Sequence, residues 1–226
     1  GLTTVNCSGI KAVGIGSWDD CSLKFVNGRY AFNFHVQESL VLGSVEGRSC
    51  IDITDCKFDV NSNASKCVGF GSIYGDTEIS LTHIFVRSDM DGYYLCGIGS
   101  LEGHSSKFFV TKSSISFDLK GRQTIGIGLL NGGDSEIVIN NASVDFTLKG
   151  DDASAFGTLD QNGALQALNS RVRASVDNDV DSFLGFAAEK TTVNACDIGF
   201  EHNGEGFSVG DIMRMLHKGP PPQGHP

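Results

Sequence analysis

The sequence predicts an all-β protein: a right-handed parallel β-helix, a solenoid of about seven coils of 27–30 residues with a short C-terminal capping helix. Three observations carry this reading. A Gly-centred phrase recurs at nearly constant spacing, the segments between its copies alternate apolar and polar residues, and aligned copies stack like residues in columns. The phrase reads GIGS at Gly14–Ser17, LGS at Leu42–Ser44, GFGS at Gly69–Ser72, GIGS at Gly97–Ser100, GIGL at Gly126–Leu129 and AFGT at Ala155–Thr158, with a degraded GFAA at Gly185–Ala188. Counted on its second glycine, it falls at Gly16, Gly43, Gly71, Gly99, Gly128, Gly157 and, as alanine, Ala187, in steps of 27, 28, 28, 29, 29 and 30 residues. One unit of this length cannot bury its own apolar face and must do so against its neighbours, so the period marks a stacked architecture. A β-sandwich, with irregularly spaced strands, gives no reason for the phrases to stay in register.

Repeat two shows the unit. Ile51 and Ile53 alternate with polar residues, then Phe58 and Val60, then Val68 and Phe70, which is the period of a strand. Between the first and second runs the alternation slips by one residue, so the chain turns a corner there. Turns are expected at Glu46-Gly47, Asn61-Ser62-Asn63, Lys120-Gly121 and Lys149-Gly150. Three short strands and three turns then make a triangular coil, with the right-handed sense that parallel crossovers prefer. The columns follow: Leu23, Ile51, Ile79, Phe108, Ile137, Leu165; Tyr30, Phe58, Val86, Ile115, Val144, Val172; and, before the key glycine, Ile15, Leu42, Phe70, Ile98, Ile127, Phe156. Trp18, Val45, Ile73 and Leu101, just after it, are also read as inward, as is a column of Val13, Val68, Cys96 and Ile125. The corner column is small or modest: Gly28, Cys56, Ile84, Ser113, Ala142, Ser170 and Cys196.

The solenoid is expected over residues 1–207. Beyond it, Ser208 and Asp211 resemble a capping box, Ile212, Met213, Met215 and Leu216 form an apolar face, and Gly219-Pro220 is a stop signal. This predicts a capping helix over 208–219, which would cover the open end of the solenoid, followed by a disordered tail over 220–226. The opening residues Gly1–Asn6 read like the middle of a coil, so the chain is expected to be a domain of something larger.

A net charge of −10 disfavours nucleic acid as a partner. No run of 18 apolar residues is present, so no membrane insertion is expected. The seven cysteines, Cys7, Cys21, Cys50, Cys56, Cys67, Cys96 and Cys196, are odd in number and lack paired spacing, which argues for small buried hydrophobes rather than a disulfide framework. The six histidines lack zinc-ligand spacing, and no GxSxG, P-loop or dinucleotide fingerprint appears.

Chemistry must therefore sit on outer faces and turns. One outward column runs Arg29, Lys57, Phe85, Ser114, Ser143, Arg171; another runs Ala31, Asp59, Arg87, Ser116, Asp145, Arg173. Asp59 should neighbour Arg87, and Asp145 should neighbour Arg173. Such pairs are ordinary surface ladders, or a grip on an acidic sugar, with Phe85 an exposed ring for stacking. Ser88–Gly92 reads as an acidic turn. Asp151, Asp152, Asp177, Asp179 and Asp181 fall on adjacent turns and form a candidate calcium cluster, calcium being the one cofactor the chain suggests.

The repeated GIGS followed by an Ile-x-Ile strand and a small-residue corner resembles the β-helix domains of bacterial surface proteins, including carbohydrate-binding modules related to the pectate-lyase superfold. The resemblance covers residues 5–207. It implies a non-catalytic module of a larger bacterial protein, binding glycan or acting as a rigid adhesive or structural element, at the cell surface or outside the cell. Pectate lyases and polygalacturonases of that fold gather acids and an Arg or Lys on one strand face; here the outward columns are interrupted by Ser, Phe and Ala. A polysaccharide lyase or hydrolase is one alternative. An intracellular assembly or sensory module, in keeping with the free thiols and a cytoplasmic setting, is another.

Overall fold

The repeat folds as a parallel β-solenoid of about six turns. The computed structural model describes residues 1–157, 163–176, 192–196, 200–202 and 205–207. Each of the first three turns has a long run and a short one: β1 (Leu2–Ser17) and β2 (Cys21–Val26), β3 (Arg29–Glu46) and β4 (Ser49–Thr54), β5 (Lys57–Tyr74) and β6 (Thr77–Thr82). In the fourth turn the two runs fuse as β7 (Phe85–Thr111). Then come β8 (Ser114–Lys120), β9 (Gln123–Asn140), β10 (Ser143–Lys149), β11 (Asp152–Phe156), β12 (Ala164–Leu168), β13 (Arg171–Val176) and β14 (Thr192–Cys196). All of these pair in parallel with the turn before or after. β15 (Phe200–His202) and β16 (Glu205–Phe207) pair antiparallel with each other, where the repeat pattern ends. There is no helix among the described residues. The segments 208–219 and 220–226, expected as cap and tail, lie outside them.

The glycine columns are in register: Gly16, Gly43, Gly71, Gly99 and Gly128 are successive lateral partners. Two constraints require glycine there. The backbone φ is +136° at Gly43 and +142° at Gly71 and Gly99, a region that side-chain-bearing residues rarely adopt. A Cβ on Gly43 would also lie 1.8 Å from the carbonyl oxygen of Gly71, and one on Gly71 would lie 1.9 Å from that of Gly99. The bend is thus a place where successive backbones touch.

The slip in alternation between the short and long runs is a corner with left-handed backbone. Asn27, Asp55, His83, Lys112, Asn141 and Asn169 all have φ between 47° and 57°. Asparagine and aspartate tolerate this conformation better than most residues because their short polar side chains bond locally.

The breaks expected at Lys120-Gly121 and Lys149-Gly150 separate β8 from β9 and β10 from β11, but the structure corrects two other expected turns. Asn61-Ser62-Asn63 lies inside β5, paired laterally with Asn33-Phe34-His35 and with Asp89-Met90-Asp91. Ser88–Gly92, read as an acidic turn, likewise lies inside β7. The reason is in the neighbours. Phe34 and Met90 are fully buried, and Ser62 sits in register between them, so a turn at that height would expose both. Turn-forming composition is overridden by the apolar column.

Most apolar side chains fill one continuous core, from Phe32 and Ile53 through Phe58, Phe70, Phe108 and Ile127 to Phe156 and Val172. A second, smaller cluster holds Leu40, Val45, Val68, Ile73, Cys96, Leu101 and Ile125. Adjacent strand residues point to opposite faces. Cys67 belongs to the main core and Val68 to the second cluster, so the column read as inward through Val13, Val68, Cys96 and Ile125 packs on the opposite face, flanking the glycine bend. Trp18 is a further correction. It heads the column of Val45, Ile73 and Leu101 but is 47% exposed, just beyond the end of β1; Lys11 Nζ lies 5.9 Å from its ring centre.

Six cysteines within the described residues are free: Cys7, Cys21, Cys50, Cys56, Cys67 and Cys96. Burial pushes the Cys67 and Cys96 thiols well above the ordinary thiol range. Cys67 also sits beside the Ser39 and Ser62 hydroxyls, which are 3.1 Å apart.

Two predictions follow from the packing. Gly71→Ala combines backbone strain with overpacking and is expected to cost about 2–6 kcal/mol, read as the shift in urea midpoint. The folded state holds the Cys67 and Cys96 protons more tightly than the unfolded chain does. Their contribution to stability is therefore complete below about pH 8.5, the ordinary thiol value, and declines as pH rises above it. In Cys96→Val the loss of stability between pH 8 and pH 10.5 should be shallower than in the parent, measured by chemical denaturation at each pH.

Candidate ligand groove

The corner between short and long runs shapes an open groove of about 1000 Å³ along six successive turns. Its floor is the column of small or modest residues: Cys56, Ile84, Ser113, Ala142 and Ser170 are all buried, with Gly28 at one end. One wall is the left-handed column, whose members Asp55, His83, Lys112, Asn141 and Asn169 are exposed. The other wall is the first outward column, Arg29, Lys57, Phe85, Ser114, Ser143 and Arg171. A trench results because, from the second turn to the sixth, a buried side chain lies between two less buried ones. From first turn to sixth it runs about 24 Å, five steps of roughly 4.8 Å.

The floor is held by bonds between turns. Cys56 Sγ accepts from Gly28 N–H at 3.3 Å and lies 3.2 Å from the Thr54 carbonyl. Ser113 Oγ accepts from Ile84 N–H at 3.2 Å and donates to the Thr111 carbonyl at 2.7 Å. Ser170 Oγ accepts from Ala142 N–H at 3.1 Å and donates to the Leu168 carbonyl at 2.7 Å. Cys56 therefore does the job of a serine. The second, fourth and sixth turns supply a bridging side chain, and the first, third and fifth supply the N–H it accepts.

The groove's charge opposes that of the chain. Its lining carries Arg29, Lys57, Lys112 and Arg171 against one carboxylate, Asp55, whereas the chain as a whole is −10. Asp55 Oδ1 lies 3.7 Å from His83 Nδ1. Lys57 Nζ is 3.7 Å from Asp59 and 5.0 Å from the centre of the Phe85 ring, which is 42% exposed. Arg29, Lys112 and Arg171 make no ion pair with a carboxylate among the described residues.

The residues singled out from sequence fall around this groove unevenly. Phe85 lines it. Asp59 and Arg87 are lateral neighbours, as are Asp145 and Arg173, two residues further along the same strands and just outside the groove. Asp145 accepts from Ser143 Oγ at 3.5 Å. Asp151 and Asp152 sit elsewhere. Asp151 lies 3.8 Å from Arg122 Nε, and Asp152 accepts from Gln123 Nε2 at 3.2 Å. Asp177, Asp179 and Asp181, the rest of the candidate calcium cluster, lie outside the described residues, and no group of three or more metal-ligating side chains occurs among those described.

Alignment alone sets His83 beside Asp55 and Lys112 at a corner, as exposed turn residues rather than the wall of a site. The signal of the left-handed column was present as Asn27, Asp55, Asn141 and Asn169, recurring one residue before the corner, but four short polar residues read as ordinary turn chemistry until their φ values are known. The cations Arg29, Lys57 and Arg171 were on the right column without being picked, since it takes the fold to set Lys112 on the facing wall.

No protein-family model, curated protein or solved structure matches the chain. No helix among the described residues is long and apolar enough to cross a membrane.

The floor bonds generate a prediction about the groove's shape. Ser113→Ala leaves the buried Ile84 N–H without its acceptor and is expected to cost about 1–3 kcal/mol. Ser113→Cys, which copies Cys56 in the same column, should recover most of that loss in thermal denaturation.

Proposed function

We propose that this domain is a non-catalytic glycan-binding module that receives a linear acidic polysaccharide lengthwise in the corner groove. The observation that carries the reading is the cationic trench on a strongly acidic chain. Arg29, Lys57, Lys112 and Arg171 line a continuous groove spanning six turns, with the exposed Phe85 ring among them. An extended polymer suits a site that repeats by translation, since each turn offers a similar small floor and two flanking side chains. Carboxylate or sulfate groups would meet Lys112 and Arg171, and the apolar face of a sugar would lie on Phe85. Such a module belongs at the cell surface or outside the cell, where acidic polysaccharides occur.

The test is calorimetric titration with a panel of soluble acidic polysaccharides and neutral dextran at low and high salt. Binding to acidic but not neutral polymers is expected, weakening as salt screens the exposed charges. The double variant Lys112→Gln/Arg171→Gln should lose about tenfold or more in affinity while keeping the parent melting temperature. Absence of binding to every acidic polymer, or binding unaffected by the double variant, would overturn the proposal.

A further inference from the structure

The groove has a period of two turns as well as one. Turns are counted here from the one bearing Asn27-Gly28-Arg29. The second, fourth and sixth turns each bring a permanent cation to the lining, Lys57, Lys112 and Arg171, the second together with the carboxylate of Asp55. The third and fifth bring none. The third contributes His83, Ile84 and Phe85, and the fifth contributes Asn141, Ala142 and Ser143. The same alternation runs through the floor, where Cys56, Ser113 and Ser170 of the even turns accept N–H groups from Gly28, Ile84 and Ala142 of the odd ones. Arg29, in the first turn, adds one cation at the end of the row.

From this alternation we infer that the groove selects an alternating polysaccharide, in which an anionic sugar is followed by an uncharged one. The inference rests on the groove being the glycan site. Cations on the even turns recur every ~9.6 Å, two turn spacings, which is close to the length of a disaccharide in an extended pyranose chain. A polymer laid one sugar per turn then meets a cation at every second ring. Between them, the third turn offers the exposed face of Phe85, and the fifth offers the Asn141 amide and the Ser143 hydroxyl, which suit an uncharged ring bearing hydroxyl or acetamido groups. A polymer with an acid on every ring would set a carboxylate at the third turn, where the lining has no permanent cation. It would set another at the fifth turn, where the lining has no charged side chain.

Two probes separate the cases: hyaluronate, with a carboxylate on every second sugar, and polygalacturonate, with one on every sugar. Both are used as size-matched oligomers free of divalent ions. Hyaluronate is expected to bind about 5–10-fold tighter, the worth of two unmatched surface charges. A second arm supplies the missing cation. Asn141→Lys places at the fifth turn the residue that already occupies the left-handed position at Lys112. It should raise polygalacturonate affinity severalfold and leave hyaluronate nearly unchanged. If polygalacturonate binds as tightly as hyaluronate, and Lys112→Gln/Arg171→Gln weakens both, the alternating period is refuted while the groove stands as a general acidic-glycan site. If neither oligomer binds, the groove reading falls and the inference with it.

Discussion

Everything in this molecule depends on close lateral contact between one turn's backbone and the next at the glycine bend. At Gly43, Gly71 and Gly99 the chain passes so near its neighbour that a single methyl group would overlap a carbonyl oxygen. That contact keeps successive turns at the same height and in the same rotation. Once the glycines are in register, the residues just before them are too, and the one-residue differences in repeat length are taken up between the bend and the short run. The lateral partnerships of Leu42 with Phe70 and Ile98 are consequences of it.

Register in turn decides what the corner can be. Six left-handed residues stack because the slip in alternation recurs at each corner, between paired short and long runs. Stacking them leaves a wall of exposed polar side chains, a floor of small buried ones and a second wall from the strand beyond. The trench is therefore a by-product of turning a corner with a short side chain at the apex. What specialises it is the choice of exposed residues on its walls, which costs the fold little and can vary without disturbing the core.

The thiols illustrate how one residue type serves three physical roles in one fold. Cys56 is a hydrogen-bond bridge standing where other turns use serine. Cys67 lies in the main core beside two hydroxyls, and Cys96 fills the smaller cluster flanking the glycine bend. In each place the thiol is held in its neutral form, because the surroundings cannot solvate a thiolate. These are packing and bridging positions.

The period of the sequence determined the architecture by itself. A repeat of 27–30 residues, alternation of two, and like residues at like offsets admit a parallel solenoid, and the Asp59–Arg87 and Asp145–Arg173 neighbours followed from alignment alone. These features were legible because they are local, or translate by a constant step. What only the tertiary structure decided is where composition and context disagree. Asn61-Ser62-Asn63 looks like a turn, yet runs as strand because Phe34 and Met90 on either side must stay buried. Trp18 heads a column of apolar residues, yet is 47% exposed beside Lys11. The groove was legible least of all. Its two walls are separated in the chain by a single residue, and whether Lys112 faces Ser114 across a trench depends on a backbone φ of +48° that no residue type dictates. Periodicity specifies which residues stack; the sign of a few dihedral angles specifies which of them face each other.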